Sequence, residues 1–258
     1  MELDRDSGRV PARVPERRRA ARRSHRMTSP HAGTPGEGEA LPVRPSWLPA
    51  DRELRAFLGD SALYPFYRLR LVEYIARLLP FRGPCHVLDV GAGDGSLGTL
   101  FERFRPRTSV IGVEVALRAK TRPGFRLVRF DGRALPFADR SFDVALVSNV
   151  LHHAKDPDGL MREVCRVTRR RAIVKDHVAR GPLDHLKLAA LDVMGNLRFG
   201  AQIEASYLSM PRWESMFGSL PRTRVHAFHG LPFRRGPLEW VFANDLEVVF
   251  ALDFDATA

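Results

Sequence analysis

Apolar side chains recur at helical spacing through "SALYPFYRLRLVEYIARLLP", where Tyr67, Leu71, Tyr74, Ile75 and Leu78 share one stripe and Pro80 closes the run. The spacing predicts an amphipathic helix placed over a sheet edge or a pocket mouth. Downstream the pattern shortens into nearly continuous apolar runs: "HVLDV", "SVIGVEV", "FRLVRF", "FDVALVSNV" and "RAIVKDH". Helical stretches separate them, one near 96–105 and one from 157 to about 170. Strands apolar on both faces that alternate with helices predict an α/β fold, a doubly wound and mostly parallel sheet covered on both sides. The last two strand candidates, "TRVHAFHG" and "LEWVFANDLEVVFALDF", are joined by too short a stretch for a crossover helix, so they are expected to pair antiparallel.

Composition adds a tail to this picture. The chain has 258 residues, 44% of them hydrophobic, enough for one large domain with a proper core. Its net charge is +11, but residues 1–26 carry nine arginines against four acids and so hold +5 of it. That segment and the Pro/Gly/Ser-rich stretch after it offer almost no large apolar side chain, which predicts a disordered Arg/Pro-rich tail over residues 1–46. No apolar h-region follows the arginines, and Glu2, Asp4, Asp6 and Glu16 break the positive charge, so neither a secretory nor a transit signal is expected. An over-extended start, with Met27 as the first residue of the working protein, is one reading of this tail; an arm attracted to RNA or membrane is another. The two cysteines, Cys85 and Cys165, lack metal-ligand spacing and read as buried thiols in a reducing cytoplasm. No apolar run approaches the ~20 residues that span a bilayer.

The first strand runs into "DVGAGDGSLG", with Gly91, Gly93 and Gly95 at every second position where strand turns into helix. Open α/β sheets bind ligands at this carboxyl edge. The dinucleotide pattern G-x-G-x-x-G is not met, because Ser96 stands where its third glycine belongs. Glu114 ends the second strand, 23 residues after Gly91, where an acidic side chain accepts both hydroxyls of a ribose. Asp131 ends the third strand, and Leu135-Pro136-Phe137 turns into the fourth at Phe142-Asp143.

With these motifs, residues 84–178 resemble the class I S-adenosylmethionine-dependent methyltransferases, within the broad small-molecule group that includes the quinone-biosynthesis enzymes. The resemblance implies a Rossmann-like, seven-stranded sheet with an antiparallel last strand. It also implies that Asp89, Gly91, Ala92, Gly93 and Gly95 hold the methionine part of the cofactor, Glu114 the ribose, and Val115 the adenine face. Asp131 would accept from the adenine amine with Gly132 and Arg133 on the same edge, and Ser148, Asn149 and Val150 would border the sulfonium and the acceptor. Two departures are visible: "TRRRAIV" replaces the usual Gly-Gly turn before the fifth strand, and Ala116 to Gly124 is short for a helix.

The cofactor expected is S-adenosylmethionine, leaving as S-adenosylhomocysteine, and the partner a small methyl acceptor, apolar or aromatic. A nucleic-acid acceptor is the weaker reading, because Ser148-Asn149-Val150-Leu151 stands where base-amine methyltransferases carry Asn/Asp-Pro-Pro-aromatic. A dinucleotide-dependent oxidoreductase, or a cofactor-binding protein without turnover, would also place a glycine turn at this edge of the sheet. No HExxH, CxxC or paired-carboxylate pattern argues for a metal. His152 and His153 follow the fourth strand near the point where an acceptor proton would leave, and are the candidate general bases against a packing role. Asp176 and His177 in "KDH", at the carboxyl end of the fifth strand, face the same crevice; they read as strand-end caps, with contact to substrate as the alternative. Asp156 reads as the cap of a scaffold helix with Leu160, Val164 and Val167 inward. The domain, residues 47–258, is expected to divide into a helical cap at 51–80, the cofactor core at 84–178, a lid or substrate region at 178–220 and a terminal strand pair at 222–253. Leu183 to Leu191 is read as a helix on the sheet, and Met194 to Met210 as a cover over the acceptor.

Overall fold

The computed structural model describes residues 40–59, 65–79, 83–116, 121–196, 205–221 and 223–254. Most of the predicted tail, 1–39, lies outside the described residues, as do 117–120 of the short connection and 197–204 of the predicted cover. Two helices open the fold, α1 (Asp51–Leu58) and α2 (Pro65–Leu78). Then come β1 (Cys85–Val90), α3 (Ser96–Phe104), β2 (Thr108–Glu114), β3 (Leu127–Arg129) and β4 (Phe142–Ser148). After a 3-10 turn at Leu151–His153 follow α4 (Pro157–Val167), β5 (Thr168–His177), α5 (Pro182–Asn196) and α6 (Met210–Gly218). The chain closes with β6 (Thr223–His229), the short α7 (Pro237–Val241) and β7 (Glu247–Phe254).

Seven strands among the described residues form one sheet in the order β3-β2-β1-β4-β5-β7-β6. The first five run parallel; β7 pairs antiparallel with both β5 and β6. Alternation along β1 explains the two-sided core. Val87 packs with Leu69, Ile75 and Phe101 from α2 and α3 on one face, while Leu88 and Val90 pack with Leu160, Val164 and Trp213 from α4 and α6 on the other. The chain reverses its direction of travel across the sheet between β1 and β4, so the strand ends part there and leave a crevice.

Some element boundaries differ from the sequence reading. The helix after Asp156 ends at Val167, and β5 begins at Thr168, three residues before the apolar run. Thr168 Oγ1 donates to the Val164 carbonyl at 2.6 Å, and Thr168 is already in register with Phe142. The run beginning at Leu238 is no single strand, because Pro237 opens a helical turn and pairing starts only at Glu247. In α5, Leu183 and Leu186 are 73% and 69% exposed rather than packed on the sheet; Leu188 and Leu191 instead join Tyr207, Phe242 and Leu246. Cys85 is buried, whereas Cys165 is only half-buried.

Candidate active site

The turn after β1 is held both to β2 and within itself. Gly91 N and Ala92 N both donate to the Val113 carbonyl, at 2.9 and 3.1 Å, and Gly95 N donates to Ala92 O at 2.9 Å. All three glycines have left-handed backbone, φ +68° at Gly91, +60° at Gly93 and +76° at Gly95, a region that costs other residues energy. A Cβ at Gly91 would fall on Val150, and one at Gly95 on the Phe125 ring. Two of the glycines are therefore required by the protein's own side chains as well as by the turn.

Asp89, the last polar residue of β1, is 2% exposed, and its Oδ2 has no hydrogen-bond partner. Burial, reinforced by the neighbouring Glu114 and Asp94, pushes its pKa up to about 7. From β2, Glu114 reaches back to the turn: Oε2 accepts from Gly93 N at 3.0 Å and Oε1 from Val115 N at 2.9 Å. Each oxygen retains a lone pair for a further donor.

Across the crevice stand Ser148 and Asn149, which with Asp89, Gly91, Ala92 and Gly93 line one cleft roofed by Leu58, Arg68, Leu71 and Val72 of α1 and α2. The predicted pocket mouth is thus formed partly by α2. Val150 packs on Gly91, and Gly95 starts α3; neither lines the cleft. Val115 is 47% exposed beyond Glu114. Asp131 sits two residues past the end of β3 rather than on it. Its Oδ1 accepts from Arg133 N at 2.8 Å and Ala134 N at 2.9 Å, closing a local turn through Gly132 and lowering the carboxyl pKa.

Asn149 is a rare non-glycine residue in left-handed conformation, φ +55°. Its backbone N donates to the Lys175 carbonyl at 2.8 Å. Its side chain is gripped by two groups: Nδ2 donates to Tyr67 Oη at 3.2 Å, and Lys175 Nζ donates to Oδ1 at 2.5 Å. Lys175 is completely buried, yet it also meets Tyr67 Oη and Glu247 Oε2, each at 2.5 Å. Burial alone would discharge the lysine; Glu247 and Tyr67 reverse that and hold its pKa above the usual value. Glu247 lies opposite His177 in the β5–β7 register and also receives Arg234, so its own pKa is far below the carboxylate range despite burial.

The paired histidines separate. His152 is 1% exposed, its Nδ1 2.5 Å from Asp176 Oδ1 and its Nε2 3.5 Å from Asp192 Oδ2. Burial works against its protonation, but Asp176 and then Asp192 raise its pKa to about 9. His153 faces outward, with Nε2 4.0 Å from Asp192. Neither ring lines the cleft around Asp89. Asp176 does more than cap a strand: Oδ2 accepts from Leu151 N at 3.0 Å and Oδ1 from His177 N at 2.8 Å, so it shapes the turn that carries both histidines. Spacing along the chain does not single out Tyr67, Lys175 and Glu247 as site residues. The signal that could have found them is a lysine in an otherwise apolar strand end, which requires a buried partner.

Residues 88–174 match a family model described as a methyltransferase domain. An uncharacterized methyltransferase of Mycobacterium sp. (strain JLS) is 38% identical over 119 residues, 43% of this chain and 46% of its own length. The uncharacterized methyltransferase YcgJ of Bacillus subtilis (strain 168) is 31% identical over 148 residues, covering 54% and 57%. The crystal structure of YcgJ superposes with a TM-score of 0.51 at 18% identity, covering 72% of this chain and 98% of that one. The match to a methyltransferase domain is thus confined to residues 88–174, and the fold is the one that YcgJ has. The chain spans about half the length of the curated relatives it matches. Within the matched residues, the glycine turn and Asn149 occupy the two sides of the crevice at the β1–β4 switch. Lys175 stands just past the matched residues at the end of β5, and its network continues into β7.

Proposed function

We propose that the chain transfers a methyl group from S-adenosylmethionine to a small, largely apolar or aromatic molecule. The observation that carries this reading is Asp89: a buried carboxylate with an oxygen left without a partner, set in a glycine turn at the switch point of the sheet. A native fold satisfies such a group or keeps it for a ligand. A cofactor with an ammonium group and a ribose diol fits the donors and acceptors present, since Asp89 offers an uncompensated acceptor and Glu114 two partly used ones. Asp89 with Gly91, Ala92 and Gly93 would hold the amino-acid end, Glu114 the ribose, and Val115, Asp131, Gly132 and Arg133 the adenine edge.

When bound, the cofactor supplies an electrophilic sulfonium methyl. The chain's own task is then alignment and exclusion of water, because an in-line displacement is accelerated chiefly by holding the two reactants in position. Asn149, locked by Tyr67 and Lys175, is a rigid wall beside that position. Tyr67 belongs to α2, so the helix that roofs the cleft is tied to the strand ends through the same network. His153 is the more accessible of the two candidate bases; His152 has both nitrogens facing carboxylates. The absence of an Asn/Asp-Pro-Pro-aromatic segment after β4 supports a small acceptor over a base.

Calorimetry with S-adenosylhomocysteine tests the reading. Glu114→Ala should weaken binding about 5- to 150-fold, the loss for a buried partner left unpaired being about 1–3 kcal/mol. Affinity for the parent should tighten as pH rises through 7, because Asp89 must ionise to meet an ammonium group. Parent-like affinity in Glu114→Ala and a flat pH profile would together refute the site.

A further inference from the structure

We infer that His152, His177 and Asp192 form a binding site for one divalent metal ion of the zinc class. The three residues come from three elements, the turn after β4, the end of β5, and α5, and are 1%, 5% and 9% exposed. One ligand atom from each lies within 4.8 Å of the others. The His152 Nε2 to Asp192 Oδ2 separation of 3.5 Å nearly matches the roughly 3.3 Å between neighbouring ligands of a tetrahedral ion with bonds of about 2.0–2.1 Å.

A second observation concerns His152 Nε2. It is buried and makes no close hydrogen bond, facing Asp192 Oδ2 across 3.5 Å. Its other nitrogen is fixed by Asp176, which is itself held by the backbone amides of Leu151 and His177. A carboxylate on one imidazole nitrogen sets the ring's orientation and presents the other nitrogen, the arrangement found behind metal-bound histidines. The Tyr207 hydroxyl donates to Asp192 Oδ2, the oxygen that faces His152, and so fixes its position. Asp176 and Asp192 place two carboxylates against His152, while His177 Nδ1 lies 3.1 Å from Glu247 Oε2, whose charge Lys175 and Arg234 already meet. The nitrogen-rich donor set suits zinc and its neighbours rather than calcium or magnesium, which take oxygen ligands.

Three protein ligands leave a fourth position for water, as in open rather than closed zinc sites. Binding would draw α5 onto the end of β5 and onto His152, three residues beyond Asn149 along the turn after β4, and brace the far wall of the cleft. Short-range motifs such as HExxH are absent because no two of these ligands share an element. The inference does not depend on the cofactor reading.

The test uses the full-length protein, treated with chelator and titrated with zinc chloride by calorimetry, with metal content measured after gel filtration. We expect close to one zinc per chain, lost in Asp192→Asn and in His177→Gln with helical circular dichroism retained. Asp176→Asn should weaken binding by roughly 10- to 100-fold, the usual effect of removing a carboxylate behind a metal-bound histidine. Should a variant fail to fold, cobalt substitution of the parent decides the matter. Intense visible bands of four-coordinate cobalt support the site, and the weak bands of the six-coordinate hydrated ion overturn it. Zinc binding of equal strength in parent and folded variants, or no uptake by the parent, also overturns it.

Discussion

On the β1–β2 side of the crevice Asp89 is buried, keeps one oxygen without a partner and titrates near 7. On the β5–β7 side Asp176 and Glu247 are equally buried and are held far below the carboxylate range, by His152 and His177 with Lys175 and Arg234. The residue type and the burial are alike; the partners differ. A carboxylate left uncompensated in the fold is a place where the fold gives up stability and a ligand recovers it. A carboxylate surrounded by cations belongs to the structure, and its removal leaves buried charge behind.

This contrast is sharpest in stability measurements. Glu247→Ala should have the largest effect, a loss of about 3–5 kcal/mol in urea unfolding, because Lys175 and Arg234 would remain buried without their counter-charge. A loss under about 1 kcal/mol would break the contrast.

Asp89→Asn should act in the opposite direction. The folded-state pKa of about 7 lies above the unfolded value of 3.8, so between these pH values the unfolded chain binds fewer protons than the native one. The Asp89 contribution to parental stability should therefore fall as pH rises from about 4 to about 7 and level off above, a change of about 2–4 kcal/mol. The asparagine variant should be flat across that window and more stable than the parent at pH 8, while losing affinity for S-adenosylhomocysteine. Thermal melts at several pH values read the first effect and calorimetry the second.

Gly95→Ala and Gly124→Ala form a smaller test within the β1–β2 side. Both glycines have nearly the same left-handed φ, +76° and +77°, but a Cβ at Gly95 would meet the Phe125 ring, whereas one at Gly124 meets nothing within 4 Å beyond its neighbours in sequence. The first substitution should cost about 1–3 kcal/mol and the second about 1 kcal/mol. Equal losses would mean that backbone handedness alone requires glycine in the turn. The smallest effect is expected on the surface, where Arg212 pairs with Asp158 at side-chain exposures of 40% and 28%. Arg212→Ala should change stability by less than about 1 kcal/mol, and less still in high salt.

The two sides also differ in how legible they are in the chain. The glycine turn, Asp89 and Glu114 can be read directly, because a strand, a tight turn and the next strand end are contiguous and each imposes residue types at short spacing. β6 and β7 do pair antiparallel, but not because their connection is short: it runs over 230–246 and holds α7, so the sheet and not the spacing sets the direction. The start of β5 escapes the pattern because Thr168 to Arg170 carry no apolar run; their place in the sheet beside β4 makes them strand. Leu183 and Leu186 belong by spacing to a buried face, and the helix turns them outward.

The chain's local pattern is therefore enough to define a doubly wound sheet, its switch point and the carboxylates facing it, since periodicity and turn chemistry act over a few residues. It is not enough to join Tyr67 to Lys175, 108 residues apart, or to set Glu247 opposite His177. Those contacts follow from strand order and register, which arise when the whole sheet buries its two faces. Only then is a lysine at the end of an apolar strand committed to a glutamate from the last one, and a histidine after β4 to an aspartate from α5.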